Sequence, residues 1–289
     1  MESAPPNQTL KLYQRSLAIL AALTLSACST GFQRCTSTEK EGPNQSYYIV
    51  TECKINENDK NISEVKLEGY AEGKRIIEKK YRDGKPHGTW QAWYQNGQQA
   101  MQTEFQNGQK EGLHQEWYPD GTPKTLIEYH EDQPTKQQTW YPDGQIKSQQ
   151  TYTKPGQLKQ IEVWSPKGKR LELKQYEYNQ IIIDKRWHDN EKLAYLAHYR
   201  NGKLLSKKFW YDNGEPRYEE QYNKYGQLQK KRTWYPNGIT HTEKVYDKDQ
   251  ITTEKTWYNN GQIATFKRYK NGQLIQKEMW HKNGTKLTK

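Results

Sequence analysis

The chain has 289 residues, of which only 32% are hydrophobic, and a mean hydropathy of −1.27, which excludes one large globular core. Its 22 Tyr, 10 Trp and 4 Phe exclude a disordered chain, because disordered segments are depleted in aromatics; a thin structure with little core per residue reconciles the two facts. The net charge of +11 suits acidic partners (phosphates, anionic lipid head groups, an acidic protein) or serves to keep an exposed sheet soluble and its edges unpaired.

The first element is an address. Residues 1–27 read as a secretory signal: Lys11 and Arg15 supply the positive start, and residues 16–25 form an apolar stretch too short for the roughly 20 residues that span a bilayer. Leu25-Ser26-Ala27-Cys28 then resembles the lipobox of bacterial lipoproteins. The resemblance implies cleavage before Cys28 and acylation of its thiol, since only a thiol forms the thioether to a diacylglycerol. Two or more acyl chains make a stable anchor where one does not. Ser29, rather than Asp, after the Cys implies the outer membrane, facing the periplasm or exposed at the surface.

Residues 28–68 are not repetitive and are expected to form a lipidated tether, polar over Ser29–Pro43, followed by an N-terminal cap with strands at Tyr47–Thr51 and Ile62–Leu67. Cys35 and Cys53 lie here, 18 residues apart, in an oxidising compartment. A disulfide is the natural pairing, and a redox or metal pair is the alternative, without any CxxC or His spacing to support it.

From residue 69 to 289 the chain repeats. Trp93, Trp117, Trp140, Trp164, Trp187, Trp210, Trp234, Trp257 and Trp280 fall at steps of 23 or 24. Midway between them lie Tyr81, Phe105, Tyr129, Tyr152, Tyr176, Tyr199, Tyr222, Tyr246 and Tyr269, so the unit is a half-repeat of 11 or 12 residues seen eighteen times, with Tyr70 as a nineteenth ring. Turn signals follow the rings, from Asn96-Gly97 to Asn283-Gly284, and such dipeptides between short aromatic and β-branched segments are strong hairpin signals.

The two half-lengths predict two loops. Pro142-Asp143-Gly144 fits a three-residue loop, a type I turn ending in left-handed Gly, which pairs Trp140 with Ile146. Asn201-Gly202 fits a two-residue type I′ loop, which pairs Tyr199 with Leu204. Similar partners are Tyr152 with Leu158, Trp187 with Leu193, Trp257 with Ile263 and Tyr269 with Leu274. Simple alternation from these pairs carries every ring to one common face, with Trp along one margin and Tyr/Phe along the other. The expected fold is all-β: an elongated, single-layer antiparallel meander of about eighteen short strands, on the order of 80–90 Å long at roughly 4.8 Å per strand. Its stability should be a sum of neighbour terms.

Asp83-Gly84-Lys85-Pro86-His87-Gly88-Thr89-Trp90, followed by Trp93-Tyr94-Gln95-Asn96-Gly97, resembles the MORN repeat, and the array from 69 to 289 resembles its bacterial variant branch. Later units keep Trp-Tyr-x-Asn-Gly and lose Lys-x-His-Gly, and the half-units after Tyr129 and Tyr246 lose the Gly as well. The resemblance implies β-hairpin scaffolds that bind proteins or membrane surfaces. It also implies a second reading, since some bacterial relatives are labelled antitoxins or immunity proteins that neutralise a secreted toxin.

No catalytic constellation accompanies the repeats. The His residues at 87, 114, 130, 188, 198, 241 and 281 form no HxxxH or HExxH and read as lone, exposed side chains. Glu131-Asp132 and Glu219-Glu220 flank strands rather than a cleft, and there is no GxSxG. No catalytic residue, metal ligand or cofactor is therefore expected. Lys207-Lys208-Phe209-Trp210 and Lys230-Lys231-Arg232-Thr233-Trp234 could suit single-stranded nucleic acid, but their rings obey the structural period and the leader sends the chain out of the cell. The expected role is a non-enzymatic, lipid-anchored envelope scaffold that binds a protein partner or an anionic surface, and no nucleic acid.

Overall fold

The computed structural model describes residues 33–37, 49–55, 62–71 and 74–288, with side chains from Lys66 onward. The lipobox Leu25-Ser26-Ala27-Cys28 lies outside the described residues. The described elements are all strands of one sheet, each paired antiparallel with its neighbour in sequence. Gln33–Ser37 pairs with Ile49–Ile55, which pairs with Ile62–Ala71, which pairs with Lys74–Arg82, and the meander continues hairpin by hairpin to Gln273–Met279. From Lys74 there are eighteen strands if Lys85–Pro86 and Gly88–Trp93 count as one strand interrupted at His87. The cap strands are longer than the sequence predicts, and Gln33–Ser37 is strand where a tether was expected. In that cap Cys35 stands opposite Thr51 and Cys53 opposite Gln33, two positions apart in register; the cysteine side chains lie outside the described set.

Both loop types form as the residues dictate. At the Trp margin the Gly144 amide donates to the Tyr141 carbonyl (2.9 Å) and the Tyr141 amide to the Gln145 carbonyl (2.8 Å), with Gly144 left-handed at φ 83°. At the other margin Asn201 and Gly202 both take positive φ, 50° and 72°, as a type I′ turn requires. Three turns hold this geometry without Gly: Glu131-Asp132, Lys248-Asp249 and also Tyr178-Asn179, which the sequence does not mark with a Gly-containing signal. Their second residues answer the loss of Gly with a bond to the preceding hairpin on that margin. Asp132, Asn179 and Asp249 each accept, through Oδ1 at 2.8 Å, the amides of Lys110, Leu158 and Leu228.

The expected ring partners are all found: Trp140–Ile146, Tyr152–Leu158, Trp187–Leu193, Tyr199–Leu204, Trp257–Ile263 and Tyr269–Leu274. The expectation of one aromatic face is not. Beyond the ring's partner, the returning strand carries an extra residue. Trp140 pairs with Ile146, but Thr139 pairs with Ser148, leaving Lys147 as a bulge. Tyr199 pairs with Leu204, but His198 pairs with Ser206, leaving Leu205. A bulge reverses the parity of everything after it, because side chains alternate with period two. The Trp row and the Tyr/Phe row therefore lie on opposite faces. Side-chain hydrogen bonds bear this out: Thr139 and Ser148 hydroxyls meet at 2.6 Å on the face away from Trp140, and Tyr152 bonds Gln150 there at 3.0 Å. Tyr70 sits in a Trp position, hydrogen-bonded to Glu68 beside Arg75, which stacks on Trp93.

Burial follows the same division. Among the described residues no large side chain is fully buried. The most enclosed positions on the floor of the Tyr face are Ala197 (0% exposed), Asp184 (3%) and Thr103 (4%).

Candidate binding surface

In seven units the residue after the Trp ties its hairpin to the next one. The hydroxyls of Tyr94, Tyr118, Tyr141, Tyr211, Tyr235 and Tyr258 donate to the carbonyls of Trp117, Trp140, Trp164, Trp234, Trp257 and Trp280, at 2.7–3.0 Å. His188 takes the same place with Nε2 at 3.0 Å from the Trp210 carbonyl; since a carbonyl only accepts, the proton sits on Nε2. Ser165 is too short to reach. Its hydroxyl caps its own loop instead, accepting from the amides of Lys167 (3.3 Å) and Lys169 (3.2 Å).

A second set of ties runs through the loop Asn. Asn96, Asn190, Asn213, Asn237 and Asn260 accept through Oδ1 from the amide two residues on, closing their own turns. Their Nδ2 groups donate to the next hairpin, at the carbonyls of Pro119, Asp212, Pro236, Asn259 and Lys282. Asp120 and Asp143 close their turns in the same way, at 2.9 and 3.0 Å, but a carboxylate has no proton to pass on. Asn against Asp thus decides whether a hairpin adds this second tie to the one its Tyr makes.

The two faces differ in how charge is arranged. On the Trp face, Lys208, Glu219, Arg232, Glu243 and Lys255 stand opposite one another in strict alternation of sign. Lys208 also lies over the rings of Trp210 (5.2 Å) and Trp234 (5.4 Å). On the Tyr face the corresponding row reads Lys207, Glu220, Lys231, Lys244, Glu254, Lys267 and Lys277, so that Lys231 stands directly opposite Lys244.

Glu220 anchors that row. It is 8% exposed, pairs with Lys207 at 2.7 Å and Lys231 at 3.8 Å, and accepts from the hydroxyls of Tyr218 and Tyr222. Burial pushes its carboxyl up; the bonds from Lys207 and the two tyrosines outweigh that and hold it down at about 2. Burial first, and then the bonded carboxylate, push both tyrosine hydroxyls well above their ordinary value. Glu254 repeats the arrangement with Lys267 at 3.3 Å, Lys244 at 3.4 Å and the Tyr269 hydroxyl at 3.1 Å.

The histidines are less isolated than the sequence suggests. His114 is half-buried on the Tyr face, with Nδ1 2.7 Å from the Thr103 hydroxyl and Nε2 3.6 Å from Glu116. The His114 bond, opposed by burial and helped by Lys124, holds Glu116 at about 2. His130 meets Glu111 at 3.0 Å. No group of three or more potential metal ligands gathers among the described residues. The nine Trp form one row along one margin. The Tyr that follows Trp, part of the repeat pattern but given no role by it, is what sequence reasoning missed; its regular place after Trp was the available signal.

Residues 86–107, 110–131, 135–154 and 203–224 match the family model described as the MORN repeat variant. No curated protein matches the chain. The first three matched segments fall on successive hairpins of the sheet, and the unmatched strands between the third and fourth include the turn of Ser165, where the Tyr ties are interrupted.

Proposed function

Taking as premise a sheet that carries MORN repeat variants, a repeat suited to scaffolding and binding, we propose that this protein is a non-enzymatic, lipid-anchored envelope scaffold that binds a protein partner along its Tyr face. The observation that carries the reading is the one-layer sheet itself. It spends its sequence on tying hairpins together and offers two long faces rather than an enclosed pocket. The turns of the Tyr margin project Tyr178 (79% exposed) and Tyr225 (68% exposed) into solvent beside that face. Tyr is a common anchor at protein interfaces. The leader and Cys28 supply the membrane tie.

Two measurements test this. Metabolic palmitate labelling should mark the chain and lose the mark in Cys28→Ala; label that persists in the variant refutes the anchor. Photo-crosslinking groups placed at Tyr178 and Tyr225 should capture one envelope protein, with less adduct at high salt because exposed charges are then screened. No adduct, or the same yield at every salt concentration, refutes the scaffold. A deletion strain that dies beside a toxin-secreting neighbour would replace this reading with the immunity one.

A further inference from the structure

We infer that the Tyr face holds a site for a phosphate-bearing ligand at the join between the two Glu-centred ion clusters, built by Arg217, Lys231 and Lys244. The row of charges breaks its alternation at its end, where Lys267 faces Lys277 of the last strand, and once within the array, where Lys231 and Lys244 stand opposite each other on adjacent strands. Like charges placed directly opposite across a sheet are destabilising, and the Trp face avoids them over the same strands. Each of the two lysines leans toward its own carboxylate, Lys231 toward Glu220 at 3.8 Å and Lys244 toward Glu254 at 3.4 Å, both long for an ion pair.

Above this pair the sheet forms a depression of about 470 Å³, within the range of small-ligand sites. Its lining brings in Arg217 and His241, the bulge residues of two successive Trp-margin hairpins, and contains no carboxylate. Arg217 lies over the Tyr211 ring at 6.0 Å and makes no ion pair among the described residues, so its guanidinium fork is open for a bidentate bond. The Thr233 hydroxyl is buried at the floor of the depression with no hydrogen-bond partner. A tetrahedral oxyanion supplies what these groups lack: negative charge between the two ammonium groups, two oxygens for the guanidinium and an acceptor for the hydroxyl. The inference goes beyond the scaffold reading and does not require it.

The test is titration of the full chain with inorganic phosphate by calorimetry at constant ionic strength, with chloride as the balancing ion. A saturable isotherm is expected, weakened at least tenfold by Arg217→Gln and by Lys244→Gln. It should be unchanged by Lys185→Gln, which stands on the Trp face opposite Leu173 and Leu196. Arg217→Gln breaks no ion pair among the described residues, so it reports on the site even if Lys244→Gln fails to fold by circular dichroism. No saturable heat, or equal weakening by all three variants, overturns the site. Vesicles of phosphatidic acid form a second arm. Binding to vesicles that survives Arg217→Gln, without binding of free phosphate, overturns the assignment and leaves general attraction to a charged surface.

Discussion

Adding a tyrosine where the Trp-margin ties are interrupted should make the protein more stable. Ser165 stands where six other units have Tyr and two have His. In Ser165→Tyr the new hydroxyl would reach the Trp187 carbonyl as Tyr141 reaches that of Trp164 at 3.0 Å. Its ring would cover Leu171, the bulge residue of that hairpin, much as His241 packs on Tyr235 at 4.5 Å. A neutral hydrogen bond contributes about 0.5–1.5 kcal/mol net. The substitution also removes the two hydrogen bonds of the Ser165 hydroxyl, but these are long, 3.3 and 3.2 Å, and offset little of the gain. Covering part of Leu171 adds about 0.5 kcal/mol at roughly 25 cal/mol per Å². The expected increase is about 1–1.5 kcal/mol, read as a higher urea midpoint at unchanged slope and as slower amide exchange at residues 157–187. Ser165→Phe separates the ring from the hydroxyl, and Tyr235→Phe, which removes an existing tie at 2.9 Å, should lose about 1 kcal/mol. If Phe at 165 stabilises as much as Tyr, and Tyr235→Phe costs nothing, the ties hold nothing and the reasoning fails.

Three further outcomes follow from the same structure. Asp143→Asn should gain about 0.5–1 kcal/mol in chemical denaturation, because its Nδ2 can donate to the next hairpin as Asn96 and Asn213 do, while Asn213→Asp should lose at least as much. Glu191, left-handed at φ 65°, should yield about 1 kcal/mol on replacement by Gly, whereas Asp249→Gly, at φ 64°, should yield nothing because it forfeits the bond to the Leu228 amide; equal gains at both sites would show that only backbone strain matters. Glu220, held at about 2 against an ordinary 4.5, contributes stability that is complete above pH 4.5 and is lost as the pH falls toward 2. Glu220→Gln should cost about 2 kcal/mol at neutral pH, after allowance for solvent screening, and should flatten the acid limb of a stability–pH profile measured by urea denaturation.

Ring spacing, loop chemistry and ring–aliphatic partners were legible in the sequence because each is local: two or three turn residues fix φ, and φ fixes which residues meet across the hairpin. The strand count followed from repetition. The Asn ties could have been read from the choice of Asn over Asp in the loops, but only once it was known that successive hairpins of one margin stand side by side. His114 reads as an isolated surface group in the sequence because Thr103, its hydrogen-bond partner, lies on the neighbouring strand.

By itself, the sequence determined an antiparallel array of hairpins with Trp along one margin and Tyr along the other. Only the tertiary structure decided which face each row occupies. A bulge adds one residue without any turn signal of its own, arising from the register two strands settle on, and a single added residue reverses every side chain beyond it. Through that reversal Lys231 came to stand against Lys244, and Glu220 between two tyrosine hydroxyls, relations that no local pattern encodes.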